Sequence, residues 1–590
     1  MAGGTGLLEA LGTLRRQLDH DLFPLEIGDV AADRRALKEL TGQLDDYLLP
    51  RLADIDAPLL AVVGGSTGAG KSTLVNSIAR ADVTEPGVLR PTTLAPTLVA
   101  GPEDAPWFMS GRVLPGLPRV TGPGQGEPGT LKVAVVDTLS PGLALLDAPD
   151  IDSVVTANRE LAAQLLAAAD LWLFVTTAAR YADEVPWSFL RSARERSTAL
   201  AIILQRVPPD ALGPVTADLE RLLRENGLAG APLFAVLESV LPSENARLPA
   251  EAVRPITDWL ADLSADARSR AEVVRQTLSG ALDSLVVRVP VLAAHADRQR
   301  EGIAALRDVA AKSYDSAMSA FDEGMRDGSL LRGEVLARWQ DFIGTGDLMR
   351  SLESRVGRVR DVVVAFVMGR PAPDRELRVA LESGVESLIR SSAEGAAERA
   401  VESWLAMPAG RDLLERVGVS TAGRLGRTSS DLRDTAGAAV RAWQGEVLDL
   451  VRTEGMSKRV AARTASFGVN GLGLLLMLGA FASTGGITGI EIGIAGGTSV
   501  LSQKLLEAIF GDQAVRALTH EAREDLRRRV RALLDDELAR FTALLDGVGP
   551  GEDASANLRA AAQAVQERKR ELPIAPATDG GEGGSPGDPR

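Results

Sequence analysis

Apolar residues recur along this chain at two different periods, and the change of period divides it. From residue 5 to about 56, Leu7, Leu8, Leu11, Leu14 and Leu18, then Leu37, Leu40, Leu44, Leu48 and Leu52, return every three or four positions, the spacing of helices. Short, solidly apolar runs follow at Leu59 to Val63, Leu131 to Val136, Leu143 to Leu146, Leu171 to Val175, Leu200 to Leu204 and Pro232 to Val236. Helical patterns at 72–80, 154–168, 187–197 and 214–226 fill most of the gaps. Strands covered on both faces read as continuous apolar runs, so this alternation predicts an α/β domain, a mostly parallel sheet with helices on both faces. The domain is expected to close near residue 262.

Beyond it the strand-like runs stop. Val274, Leu278, Leu282, Leu285, Val289 and Leu292 are spaced by threes and fours, with charged residues on the other faces. That pattern predicts a large all-α helical bundle, or stalk, interrupted at Pro290 and at Pro371 to Pro373. A further amphipathic helix is expected over about 505–545, where Leu526, Val530, Leu534, Leu538, Phe541 and Leu545 stay in register. The final stretch, rich in Gly, Pro, Asp and Glu, is expected to be disordered. The expected organisation is therefore helices packing with the stalk at 1–56, the α/β domain at 57–262, the bundle at 263–463, an apolar hairpin at 464–503, a C-terminal stalk helix at 504–568 and a disordered tail at 569–590.

The hairpin stands out because charge disappears from it. No charged residue lies between Arg463 and Glu491, and none between Glu491 and Lys504. About twenty residues from Thr464 to Ser483 are enough for a helix to cross the ~30 Å of a bilayer core. The second arm, about Ile487 to Gln503, is shorter and glycine-dense, and Ser483-Thr484-Gly485-Gly486 between the arms is a natural turn. Arg452, Lys458, Arg459 and Arg463 flank one end and Lys504, Arg516 and Arg523 the other, which suits a membrane hairpin whose ends both stay cytoplasmic. Ten glycines and Glu491 keep a buried helix pair in the bundle open as the alternative.

Composition narrows the chemistry. The 590 residues carry a net charge of −15, with no dense Lys/Arg block, which argues against nucleic acid as the main partner. Cysteine is absent, so disulfides and thiolate metal sites are excluded. His20, His295 and His520 are scattered and read as ordinary helical residues. No basic start followed by an apolar core opens the chain, so the expectation is a cytoplasmic protein associated with the inner face of the cell membrane.

One motif carries specific chemistry. Gly65-Ser66-Thr67-Gly68-Ala69-Gly70-Lys71-Ser72, followed by Thr73, is G-x-x-x-x-G-K-[ST] placed after an apolar strand and before a helical pattern. Its glycines let backbone N–H groups wrap phosphates, and the helix N-terminus adds its positive dipole end. Residues 65 to 73 are thus expected to bind a nucleoside triphosphate, with Lys71 reaching the β/γ-phosphates and Ser72 holding Mg²⁺. The apolar run ending at Asp147 places a carboxylate opposite Ser72, so Asp147 is expected to hold Mg²⁺ through water. Between the two lies Arg90-Pro91-Thr92-Thr93-Leu94-Ala95-Pro96, a proline-bounded loop whose Thr92 or Thr93 could close on Mg²⁺ and the γ-phosphate as a switch.

On these residues the chain resembles the bacterial dynamin-like large GTPases. Val62-Val63-Gly64-Gly65 leads into the P-loop, Thr93-Leu94-Ala95-Pro96 matches a Thr-x-x-Pro switch, Asp147-Ala148-Pro149 matches an Asp-x-Pro-Gly motif, and the order of helix, α/β domain, helical stalk and apolar tip matches as well. The resemblance implies GTP and Mg²⁺ as ligands, Thr93 as the switch hydroxyl on the metal, a homo-oligomer or a related dynamin-like partner, and lipid contact through 464–503. It also implies that nucleotide-driven self-assembly of the stalk bends, tethers or fuses membranes.

Three departures accompany it. Asp150 stands where the family has the glycine that offers its N–H to the γ-phosphate. The base-reading segment is Gln205-Arg206-Val207-Pro208, so Gln205 and Arg206 flank the base without the guanine-reading Asp, and the margin of GTP over ATP is expected to be small. Thr67 and Gly68 occupy the P-loop positions where dynamin-like loops usually have Gln or a similar catalytic residue followed by Ser, so hydrolysis is expected to be slow or partner-dependent. Two rivals stand beside the GTPase: a nucleotide-gated membrane scaffold with little turnover, and an ABC-type ATPase. The second lacks the Glu expected after Asp147, where Ala148 stands.

Overall fold

The computed structural model describes residues 2–84, 95–122, 127–153, 155–239, 247–326, 373–455 and 510–571. The chain divides into two units, one formed by Met1–Phe23, Asp29–Arg298 and Pro550–Arg590, the other by Pro24–Gly28 and Gln299–Gly549. The Thr92/Thr93 switch, the hairpin at 464–503 and most of the tail lie outside the described residues.

The first unit is built on a sheet. Its strands are β1 (Leu59–Gly65), β2 (Thr97–Ala100), β3 (Arg119–Val120), β4 (Leu131–Val135), β5 (Leu143–Asp147), β6 (Leu171–Thr177), β7 (Ala199–Val207) and β8 (Leu233–Leu237), in the spatial order β3-β4-β2-β5-β1-β6-β7-β8. The α/β fold expected from the apolar runs is present, and every pairing is parallel except β2 with β5. The sheet is therefore mixed: β2 and β3, which the apolar pattern does not reveal, run with β4 against the other five. Thr97–Ala100 is only four residues long and follows a proline, so it offers too few positions for a period to register.

Helices cover both faces of this sheet. Those flanking the strands include α4 (Lys71–Ala79), α5 (Ala105–Met109), α6 (Thr156–Ala167), α7 (Glu184–Glu195), α8 (Leu212–Glu225) and α9 (Ala250–Ala265). One apolar cluster packs Leu60, Val62, Leu146, Trp172, Phe174 and Leu165, the other Leu59, Val63, Leu74, Leu145, Leu173 and Ile256. Alternate residues of one strand thus serve opposite layers, as the pleat requires.

A second core in the same unit joins distant parts of the chain. The first helices, placed with the stalk by sequence, are α1 (Ala2–Leu18), α2 (Val30–Gln43) and α3 (Leu49–Ala53), the last two joined by a π-helical turn, Leu44–Leu48. Leu7, Leu11 and Leu14 of α1 pack with Leu282, Leu285 and Val289 and with Leu558 and Val565. The middle three belong to α10 (Ala267–Arg326), whose later residues enter the second unit.

Pro290 does not interrupt α10. It costs one backbone hydrogen bond, but its ring lies on the exposed face, where water can satisfy the freed carbonyl, while Leu285, Val289 and Leu292 on both sides of it are buried together. Among the described residues, α10 is the helix long and apolar enough to cross a membrane, and half of that stretch is buried in the structure.

The second unit is all helix: the end of α10 with α11 (Pro373–Ala406), α12 (Pro408–Val417), α13 (Val419–Leu425), α14 (Leu432–Gly455) and α15 (Asp512–Asp546). Pro373 and Pro408 open α11 and α12, the position where a missing N–H is harmless. At its centre Trp404 stands edge-on to Phe541 at 5.3 Å and donates its indole N–H to the Leu306 carbonyl at 3.0 Å. The stalk helix expected at 504–568 is two helices. Gly547, Gly549, Pro550 and Gly551 end α15, and α16 (Ala554–Glu571) belongs to the first unit.

Candidate nucleotide site

The strand order reverses at β1: β5 pairs on one side of it and β6, reached by α6, on the other. Ligands of open α/β sheets bind beyond the carboxyl ends of strands at such a switch point. The run from Gly65 to Ser72 occupies that position, leaving β1 and entering α4 with Gly70 as its N-cap.

Two glycines there are dictated by space. Gly65 has φ +153°, and a Cβ on it would lie 2.0 Å from the Val175 carbonyl oxygen of β6. Gly70 has φ +92°, and a Cβ would lie 2.7 Å from Gln205 Oε1. The strand on one side and Gln205 on the other thus press the loop into a tight turn.

Lys71 curls back under the loop. Its ammonium donates to the carbonyls of Gly65 at 3.0 Å and Ser66 at 3.1 Å and forms an ion pair with Asp150. Ser72 Oγ donates to Asp147 Oδ2 at 2.6 Å. Asp147 arrives there because β5 is in register with β1, Val63 beside Asp147, and the next N–H, that of Ala148, donates to the Val63 carbonyl at 3.2 Å.

Asp147 is wholly buried, and its Oδ1 has no hydrogen-bond partner. Burial pushes its carboxyl up to about 6, against the downward pull of the Ser72 hydrogen bond and the Lys71 charge. A hydroxyl and a buried carboxylate with one unpartnered oxygen are hard oxygen donors that suit Mg²⁺, so Ser72 and Asp147 fit the metal expected of them.

Contacts not legible in the motifs surround this pair. Asp152 Oδ1 accepts from both the N–H and the hydroxyl of Thr67, each at 2.7 Å. Arg180 donates to Asp152 Oδ2 at 2.7 Å, to Asp183 at 2.9 Å and to the Thr67 carbonyl at 3.1 Å. Burial raises the Asp152 carboxyl, but the hydrogen bonds from Thr67 and Arg180 outweigh it and hold the group below its ordinary value. Asn76 of α4 accepts from the N–H groups of Val83 and Thr84 at 3.0 and 2.9 Å, and Thr84 Oγ1 reaches the Ser72 carbonyl at 3.2 Å. The segment entering the candidate switch is thereby tied to the P-loop helix.

Gln205, at the end of β7, is buried against the loop, its amide 3.5 Å from the Gly70 carbonyl. Arg206 follows at φ +53° beside a β-bulge and is exposed. The structure therefore brings together Gly65 to Thr73, Asp147 and Gln205, and sets Arg206 outside the loop's contacts.

No family model matches the chain, and no curated protein does. Among solved structures it is similar to two described as an oligomerised bacterial dynamin pair that provides a mechanism for long-range sensing and tethering of membranes. Each is 9% identical, with 95% of both chains covered and a TM-score of 0.43.

Proposed function

We propose that this chain is a P-loop GTPase of dynamin-like type that couples Mg²⁺-dependent GTP hydrolysis to self-assembly and to membrane binding or remodelling. The observation that carries the nucleotide part is the convergence of the Lys71 ammonium, the Ser72 hydroxyl and the half-satisfied Asp147 carboxylate at the end of β1. In this role Lys71 meets the β/γ-phosphate charge, the loop N–H groups orient the phosphates, and Ser72 with Asp147 holds the metal. A Mg²⁺ ion held by Ser72 and Asp147 would supply neutralisation of the charge on the transferred phosphoryl group. Thr93, rather than Thr92, supplies the switch hydroxyl. Single-turnover hydrolysis of GTP tests the assignment: Asp147→Ala is expected to abolish the Mg²⁺-dependent rate, and Thr93→Ala to slow it far more than Thr92→Ala. Equal effects from the two threonines would refute the switch.

Gln205 spends its amide on the loop, and Pro208 stands where a base-reading carboxylate belongs, so GTP is favoured over ATP by only a small margin. Competition between GTP, ATP and XTP for a fluorescent analogue measures that margin, and a clear preference for ATP would overturn the GTPase assignment. The Asp150–Lys71 pair favours a second role, a nucleotide-gated scaffold with little turnover, which the same single-turnover measurement separates from an enzyme. Membrane binding rests on 464–503 and is tested by nucleotide-dependent sedimentation with liposomes.

A further inference from the structure

We propose that Asp150 and Asp152 compete with the phosphates of the nucleotide for the P-loop and so weaken its hold on nucleotide. The inference rests on the assignment of the P-loop as a triphosphate site and extends it.

A lysine ammonium has three protons to give. Lys71, only 6% exposed, gives two to the Gly65 and Ser66 carbonyls within its own loop, which hold it in place. The third direction is the one in which a P-loop lysine meets a phosphate oxygen, and the Asp150 carboxylate fills it. The Thr67 N–H belongs to the set of loop donors that such a turn offers to phosphate, and Asp152 accepts it. Both carboxylates come from the short segment leaving β5, two residues apart.

The segment is also braced. Ile151 N–H donates to the Gly65 carbonyl at 3.4 Å, and Arg180 locks Asp152 in place while bonding the Thr67 carbonyl. The two anions thus imitate a phosphate's contacts from inside the chain. A phosphate oxygen and a carboxylate cannot share one lysine proton, and two anions at that distance repel, so an incoming nucleotide must displace Asp150. An ion pair that only held the fold together would contribute to stability without opposing the ligand.

The opposition of signs is the test. Dissociation of fluorescent mant-GTP and mant-GDP, each with Mg²⁺, is measured by stopped flow on the full chain, alongside thermal melting of the protein alone. Asp150→Asn leaves the Lys71 charge without its anion, so the melting midpoint is expected to fall. The same substitution is expected to slow mant-GTP release at least about tenfold, the scale of one charge-assisted contact, and to slow mant-GDP release in the same direction. Asp152→Asn is expected to slow release of both nucleotides together. Should Asp150→Asn not fold, Asp150→Gly must show the same slowed mant-GTP release. A variant that releases mant-GTP as fast as the parent, or faster, overturns the proposal. If the parent protein itself binds neither nucleotide, the triphosphate-site assignment is what fails.

Discussion

At Gly65 the absence of a side chain is the structural requirement, because the β6 backbone passes where a Cβ would go. Gly65→Ala is therefore expected to destabilise the first unit by about 2 kcal/mol or more, read as a shifted denaturant midpoint, and to remove nucleotide binding with it. Lys71→Ala should also lower that midpoint, because Asp150 loses its cation, and weaken triphosphate binding at least about tenfold in a fluorescent-analogue titration. Unchanged affinity would sink the phosphate assignment. The loop residues and Asp147 could be read from sequence because each is marked by its neighbours, a spaced glycine run in one case and an apolar strand with a terminal carboxylate in the other. Asp150 showed in the sequence only as a departure from a motif. Asp152, Thr67 and Arg180 meet across long stretches of chain, through pairings that no local spacing encodes.

Among the elements, those with long periodic patterns lie close to where their spacing put them: α8 at Leu212–Glu225 against 214–226, β1 and β5 within two residues. What periodicity missed is short or depends on context, such as β2 or the passage of α10 through Pro290. The π-helical turn between α2 and α3 is of the same kind. It buries Asp46, whose carboxylate accepts from Gln164 of α6 at 2.8 Å. Burial pushes this carboxyl from its ordinary 3.8 to about 6, more than the Gln164 hydrogen bond pulls it back. The folded protein thus holds that proton longer than the unfolded chain does. The stability linked to it is present below pH 4 and is lost as pH rises toward 6. Asp46→Asn is expected to remove this decline, and at pH 7 to raise stability by up to about 3 kcal/mol, the linkage equivalent of a shift of about two pH units. Thermal melts at pH 4 and pH 7 check it; a parent protein equally stable at both, with every other carboxylate accounted for, would contradict it.

In the whole molecule, each unit has its own apolar centre, and damage to one need not reach the chemistry of the other. Trp404→Ala is expected to cost about 3–5 kcal/mol in the helical unit, since it empties the space against Phe541 and gives up the indole bond to the Leu306 carbonyl. Mant-GTP affinity at low temperature should be unchanged. Deleting 464–503 should likewise spare nucleotide binding while releasing the protein from liposomes, and loss of binding would show that the segment supports the fold. The joint core of α1, the middle of α10 and α16 has a further consequence, one that concerns time. During synthesis at ~5–20 residues per second, the apolar stripe of Leu7, Leu11 and Leu14 leaves the ribosome on the order of a minute before Leu558 and Val565 exist to cover it. For that interval the stripe lacks the partners that α16 supplies, so a nascent chain stalled short of residue 554 should be held by chaperones that a finished one has already left.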